Sequence, residues 1–309
     1  MAKEYIGIDI GGTKCAVIKG DAINGVTNKI RFETTTVDET LNRILTAVEE
    51  MLPAEAIGIS CGGPLDEKRG IIMSPPNLPG WDDIHITELI EDRFGIPCRL
   101  RNDANACALA EWRFGAGIGF ENIVFLTFGT GLGAGIIADG RLISGANGNA
   151  GEVGHVRLAD DGPVGYGKAG SFEGFCSGGG IASLAKSMAK DALKLGTPLS
   201  FGSTEKEIEA LTTKYLAELA KAGNRDAIRI FDISAAKLGQ GLAIIIDVLN
   251  PEAIIIGSVY ARSEELFRGA FDVIQREALE ASRRICKILP AKLGDSIGDI
   301  AALAVAMEI

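Results

Sequence analysis

The sequence predicts an α/β protein of two related lobes, each carrying a β-hairpin with a glycine-rich tip. Three observations carry that prediction. Residues 5–19 read as two runs of strand-forming residues joined by Gly11-Gly12-Thr13-Lys14. The same strand, Gly/Thr turn and strand return near position 130, where 122–127 and 134–138 flank Phe128-Gly129-Thr130-Gly131-Leu132-Gly133. Around both, short buried strands alternate with segments of helical spacing, and 309 residues is long for one core.

The elements follow in order. After the first hairpin, 27–36 continues as a third strand, and 37–52 has helical spacing with Leu41, Ile44, Leu45 and Val48 on one face. Residues 56–60 form a buried strand running into Cys61-Gly62-Gly63-Pro64-Leu65-Asp66. A helix over 86–94 and a strand over 98–101 lead to Asn102-Asp103, which opens a helix over 104–112. The second ββ unit carries its own turn, Asp139-Gly140, before 141–143. The glycine-rich stretch 146–180 reads as loop and short strands, where ligand contacts concentrate. Helices are expected over 181–194, 203–222 and 225–246, the last stopped by Leu249-Asn250-Pro251. A buried strand at 253–256, a turn at 257–260, a helix at 264–281, a strand at 286–290 and a closing helix at 298–309 complete the chain.

Composition excludes several classes. Forty glycines without a fixed period favour glycine-dependent turns and ligand loops over collagen or low complexity. The net charge of −10 repels nucleic-acid phosphates, and Arg283-Arg284 is the nearest thing to a basic patch, so nucleic acid is not expected as a partner. The six cysteines lie far apart with no C-x-x-C pair, which suggests neither a disulfide nor a zinc framework and suits a reducing cytosol. Glu4 and Asp9 interrupt the first apolar run, excluding a signal peptide, and no run approaches the ~18 residues of a membrane span. A cytoplasmic protein is expected.

Two readings of the glycine turns stand side by side. They are ordinary hairpin turns using positive φ, or phosphate cradles in which backbone N–H groups, a threonine hydroxyl and an ammonium meet a ligand. The Gly129–Gly133 stretch is followed by strand and turn, not by the helix of a dinucleotide fingerprint, and no Walker A sequence exists. Two hairpins gripping a triphosphate remain the best physical account. Asp9, just before the first turn, either caps it or holds Mg²⁺ directly or through water. Asn102-Asp103 is either a helix cap or a crevice pair at a strand end, with Asn102 orienting a sugar and Asp103 taking the proton of the attacking hydroxyl. Glu152, His155 and Glu173 supply groups able to bind vicinal sugar hydroxyls. His85 and Trp81 are read as structural.

Four ordered motifs then carry a resemblance: DIGGTK (9–14), RNDANACALAE (101–111), TFGTGLGAGII (127–137) and GNAGEVGH (148–155). With NPEAIIIGS (250–258) and AKLGDSIGDIAALA (291–304), they resemble the ROK family of sugar kinases and sugar-responsive repressors, within the sugar kinase, actin and heat-shock chaperone superfamily. The resemblance implies a two-lobed actin-like ATPase (ribonuclease H-like) fold, with 1–118 plus 296–309 as a small N-terminal lobe and 119–295 as a larger one. It implies ATP and Mg²⁺ in the interlobe cleft. Asp9, Gly11, Gly12, Thr13 and Lys14 match the first phosphate motif, Thr130, Gly131 and Gly133 the second, and Gly257 the adenosine region. Asp103 matches the catalytic base; Asn102, Glu152, His155 and Glu173 match sugar contacts, and loops at Gly63 and Asn77 border the sugar. The implied activity is glucokinase-like phosphorylation of a hexose, at the 6-OH. An N-acetylmannosamine or N-acetylglucosamine kinase, a fructokinase and a non-catalytic sugar sensor are the alternatives. Relatives are commonly dimers or tetramers, so a homo-oligomer is expected.

One departure stands out. The family run C-x-C-G-x-x-G-C-x-E supplies three cysteines that join a histidine on a structural zinc. Here the run is Val164 to Glu173, with Val164, Tyr166 and Ser171 at the cysteine positions. A single remaining candidate ligand does not make a four-coordinate zinc, and a zinc-free site is expected.

Overall fold

Alternating Ile6, Ile8 and Ile10, all buried, make β1 (Tyr5–Ile10) the centre of a five-stranded sheet in the computed structural model. The model describes residues 3–257, 260 and 262–309. β2 (Lys14–Asp21) and β3 (Gly25–Glu33) follow as an antiparallel meander. On the other side of β1, β4 (Ile57–Cys61) and β8 (Cys98–Asn102) run parallel to it, giving the order β3-β2-β1-β4-β8. Between those two, β5 (Leu65–Asp66), β6 (Ile71–Ile72) and β7 (Ile84–His85) form a small separate sheet.

One face of the main sheet is covered by α1 (Val37–Met51) and α2 (Ile86–Phe94), whose Ile44, Val48, Ile86 and Ile90 join the strand isoleucines and Trp81 in one core. Trp81 is thus the structural residue expected, whereas His85 lies exposed between Asp83 and Glu88. The third strand stops at Glu33 rather than Thr36 because Thr36 turns to cap α1, its side chain accepting from the Glu39 N–H.

The opposite face carries α11 (Ile297–Ala306), rich in alanine and lying directly on the strands. Glycine permits that approach: a Cβ at Gly7 would stand 2.7 Å from the Leu303 nitrogen, and one at Gly58 2.2 Å from that of Ala306. α3 (Asp103–Phe114) packs beside α11. Its fully buried Glu111 accepts the backbone N–H groups of Ala116, Lys292 and Leu293, at 2.7, 3.0 and 2.9 Å, so the returning chain is tied to α3.

The chain forms two compact units, Met1–Phe120 with Gly135–Ala150 and Lys292–Ile309, and Glu121–Ala134 with Gly151–Ala291. Residues 135–150, expected with the second lobe, group with the first unit. Gly135 packs on α3, where a Cβ would meet Ala108 Cβ at 2.5 Å.

In the second unit β9 (Ile123–Phe128) and β15 (Lys287–Pro290) flank β14 (Ala253–Ile256) in parallel, and β10 (Leu132–Ala138) adjoins β9. β10 runs on past the unit boundary, and its far end pairs with β11 (Arg141–Leu142). Between these come the hairpin β12 (Val164–Gly165) and β13 (Lys168–Ala169), then α4 (Phe172–Cys176), α5 (Gly178–Lys194), α6 (Glu205–Glu209), α7 (Thr213–Lys221) and α8 (Arg225–Leu249).

Two expected helices are broken. The 203–222 helix divides into α6 and α7 because Thr212 adopts extended backbone and caps α7 through the Tyr215 N–H. The 264–281 helix becomes a 3₁₀ turn, α9 (Gly269–Glu277) and α10 (Glu280–Arg283), since Ala278 turns extended. The turn expected at 257–260 lies partly outside the described residues. No helix among the described residues is long and apolar enough to cross a membrane.

Candidate active site

Register brings the first group together. Ile10 pairs with Cys61 and Cys61 with Asn102, so the chain leaves three adjacent parallel strands at one edge as Gly11, Gly62 and Asp103. This is where open α/β sheets bind ligands. The turn after β1 is held by a Gly11 N–H to Lys14 carbonyl bond of 3.1 Å and by Thr34, whose hydroxyl donates to the Gly11 carbonyl at 2.6 Å. Asn77 lies on Gly12: a Cβ there would stand 2.2 Å from the Asn77 carbonyl oxygen, so only glycine fits. Asn77 is thereby placed against the turn at Gly12.

Asn102 caps α3, its Oδ1 accepting from the Ala104 N–H at 3.0 Å, while Asp103 Oδ1 accepts from the same N–H at 2.8 Å. The two readings of this pair are therefore compatible: one helix start needs one cap, and Asp103 Oδ2 is left beyond it. A Cβ at Gly63 would lie 3.4 Å from Asn102 Nδ2, and one at Gly62 3.9 Å from Asp103 Oδ2. The glycine loop thus borders both side chains without filling the space beside them.

The electrostatics follow from crowding. Asp103 keeps solvent access, yet the protein around it desolvates the carboxylate and raises its pKa, against the Ala104 N–H, which lowers it. Burial pushes the Asp9 carboxyl up to about 6, with further upward contributions from Asp299 and Asp103 and opposing ones from Lys29 and Arg31. Asp9 also faces the start of α11, where a Cβ at Gly298 would stand 3.1 Å from its Oδ2, and Lys29 pairs with Asp299 at 2.5 Å. Burial likewise raises the thiols of Cys15, Cys61 and Cys107, which stay protonated and out of the chemistry.

The second unit assembles its own set. The Gly129–Thr130 turn is pinned to the start of α5: the Gly178 N–H donates to the Gly129 carbonyl at 2.9 Å, and a Cβ at Gly179 would stand 2.9 Å from the Thr130 oxygen. Glu173, at the start of α4, reaches the same turn. Its Oε2 accepts the Leu132 N–H at 2.9 Å and lies where a Cβ on Gly131 would come within 2.7 Å. Glu173 is thus joined to the Thr130-Gly131-Leu132-Gly133 turn. Gly154 packs on the Leu132 carbonyl and Glu173 Cβ, so the 3₁₀ turn Val153–His155 sits here as well, with Glu152 and His155 exposed. Gly257 follows β14, its N–H donating to the Leu126 carbonyl at 2.8 Å.

Residues 5–309 match the model of the ROK family. The chain belongs to the ROK family. It is 33% identical over 276 residues to a glucokinase of Thermotoga maritima, covering 86% of this chain and 85% of the relative. A ROK family glucokinase from Streptomyces griseus, in complex with glucose and AMPPNP, superposes with a TM-score of 0.76 at 31% identity, covering 99% of this chain and 100% of that one. A ROK hexokinase from Thermus thermophilus gives a TM-score of 0.82 at 28% identity, covering 99% and 98%. The two-lobed actin-like ATPase fold expected from the sequence is the fold of these structures.

The ROK zinc does not fit this chain. Val164 has no donor atom, Tyr166 stands 83% exposed at positive φ, and the Ser171 hydroxyl caps α4 by accepting from the Gly174 N–H at 3.1 Å. Cations and glycines hold the segment instead. Lys168 Nζ donates to the His155 carbonyl at 2.7 Å, Arg157 Nη1 to that of Ala169 at 2.9 Å, and the Tyr166-Gly167 tip closes β12 onto β13. Metal analysis is expected to find far less than one zinc per chain, and EDTA to leave the Tm unchanged without nucleotide; a stoichiometric, tightly bound zinc would overturn this.

Mg²⁺ stands differently. Among the described residues no three His, Cys, Asp or Glu side chains form a metal cluster. ATP-bound Mg²⁺ takes one or two carboxylates plus phosphate oxygens, and Asp9 beside the glycine turn fits that donor set.

Two participants were not singled out from the sequence. The α5 start, Ser177-Gly178-Gly179-Gly180, falls in the stretch expected as loop, yet Ser177 caps it through the Gly180 N–H at 2.9 Å. Serine ahead of helical spacing is the signal that marks it. Glu67 has no such local signal; it is buried beneath Asn102.

Proposed function

We propose that this chain is an ATP-dependent sugar kinase that phosphorylates a hexose, glucose or a close relative, at its 6-OH. The observation that supports the reading is the strand register that brings Gly11, Gly62 and Asp103 to one sheet edge, close enough for Asp103 to act on the Asp9 carboxyl. The glucokinase relatives and the glucose and AMPPNP of the Streptomyces griseus complex support donor and acceptor class.

In this reading Asp103 takes the proton of the sugar hydroxyl as that oxygen bonds to the γ-phosphorus, and the bond to the ADP oxygen breaks. Burial raises the Asp103 pKa, which makes the carboxylate a stronger base toward the hydroxyl proton. Asn102 orients the sugar, with Gly63 and Asn77 bordering it. In the second unit Glu152, His155 and Glu173 bind further hydroxyls, and Glu173 ties them to the Thr130-Gly131-Gly133 phosphate turn. Gly12, Thr13 and Lys14 donate to phosphate oxygens, Gly11 shapes the turn through its own N–H bond to the Lys14 carbonyl, and Gly257 borders the adenosine. Bound Mg²⁺, held through Asp9 directly or by water, supplies charge that offsets the phosphates.

A coupled assay over glucose, mannose, fructose, N-acetylglucosamine and N-acetylmannosamine tests the reading. Glucose is expected to give the highest kcat/KM, with product detected by glucose-6-phosphate dehydrogenase. Phosphorylation of none of these sugars would refute the kinase; a preference for an N-acetylhexosamine or fructose would replace glucose as substrate.

A further inference from the structure

Glu67 follows β5 and is 8% exposed. A buried carboxylate persists only when paired and hydrogen-bonded, and every partner of Glu67 described here brackets Asp103. Its Oε1 accepts the backbone N–H of Asn102 at 2.8 Å and the side-chain Nδ2 of Asn105 at 3.0 Å; its Oε2 accepts Arg101 Nη1 at 3.0 Å. Arg101 is held from its other side by Glu308, Nε to Oε2 at 2.8 Å. Asn105 is 1% exposed and its Oδ1 has no partner, so the bond to Glu67 is what orients the buried amide.

Glu67 is itself boxed in. Gly148, at a φ of +90°, lies over it, and a Cβ there would stand 3.5 Å from Glu67 Cγ. Next to it Lys68 donates to the Ala146 carbonyl at 2.5 Å. Glu67 and Lys68 together therefore join three pieces of the first unit: the segment after the Gly62-Gly63 loop, the β8–α3 junction and the turn around Gly148.

We propose that Glu67 is a positioning residue for the Asn102–Asp103 pair. It touches neither sugar nor phosphate; it fixes the backbone from which both side chains project. This rests on the reading of Asp103 as the base, and a displacement of about 1 Å at such a group can cost about 100-fold in rate.

Glu67→Met keeps the volume, removes both acceptor oxygens and should fold, because Glu308 still neutralises Arg101. It is expected to lower kcat about 10–100-fold while leaving the KM for ATP unchanged. Asn105→Ala, which removes one of the same bonds, should add nothing further in the double variant. A merely structural Glu67 would lower Tm and the active fraction, leave kcat per active site intact and give additive effects; that result overturns the proposal.

Backbone amide exchange at Asn102 supplies a readout independent of turnover. Faster exchange in Glu67→Met, which has no oxygen for the Asn102 N–H, supports the proposal, and unchanged exchange overturns it. A wild-type chain that phosphorylates no sugar would count against the kinase reading, and Asn102 exchange would still decide for or against Glu67 as the anchor of that strand end. Should Glu67→Met fail to fold, Glu67→Asp keeps the charge, retracts it by one methylene and is read by the same measurements.

Discussion

Asp103→Asn is expected to lower kcat by about 10²–10⁴-fold while hexose affinity stays close to wild type. The substitution is a clean probe because α3 does not depend on the Asp103 charge. Its N-cap is Asn102, whose Oδ1 accepts the Ala104 N–H, and an asparagine oxygen at 103 can accept the same N–H. What is lost is a carboxylate made more basic by its burial. An amide keeps the shape and the hydrogen bond but accepts no proton from the sugar. Steady-state kinetics with hexose binding by calorimetry separate the two effects: near-normal turnover would refute the base, and lost sugar binding with little change in kcat at saturation would make Asp103 a binding group only.

How much of this was legible in the sequence depends on the range of the interaction. Asp9-Ile10-Gly11-Gly12-Thr13-Lys14 and its counterpart around Thr130 announce themselves because a hairpin is local chemistry, strand residues on both sides of glycines. Asn102-Asp103 was equally visible, since a cap is read within a few residues. The helices expected over 203–222 and 264–281 failed for the complementary reason. Apolar spacing continues through Thr212 and Ala278, while the backbone there turns extended, and spacing alone does not register a break without Gly or Pro. The regrouping of 135–150 with the first unit was hidden because it depends on Gly135 meeting Ala108 on α3. Glu67 was out of reach altogether: its partners lie 34 to 38 residues away, and nothing in Leu65-Asp66-Glu67-Lys68 distinguishes it from a solvated charge.

Asp9→Asn should move stability and activity in opposite directions. With a folded pKa of about 6 against the ordinary carboxyl value of 3.8, the folded chain binds more protons than the unfolded one between those pH values. Stability associated with Asp9 is therefore fully present below about pH 4 and falls as pH rises through about 6. The cause is burial first, then the facing carboxylates of Asp299 and Asp103, which Lys29 and Arg31 only partly offset. Asparagine removes the charge and keeps the volume, so the variant should melt a few degrees higher than wild type at pH 8 and show little gain at pH 4. Activity should fall by at least about 100-fold, since the carboxylate beside the glycine turn is the group offered to Mg²⁺. The wild-type enzyme should lose kcat/KM on the acidic side as Asp9 takes up its proton near pH 6. Melting scans without nucleotide at both pH values, with Mg²⁺ titrations of the rate, check the pair. An Asp9→Asn protein less stable than wild type at pH 8 would mean that the carboxylate is a net stabiliser of the fold. Unchanged turnover would remove Asp9 from the metal site. The expected pattern is that of a charge kept against the fold's own interest, where a ligand rather than the protein completes its partners.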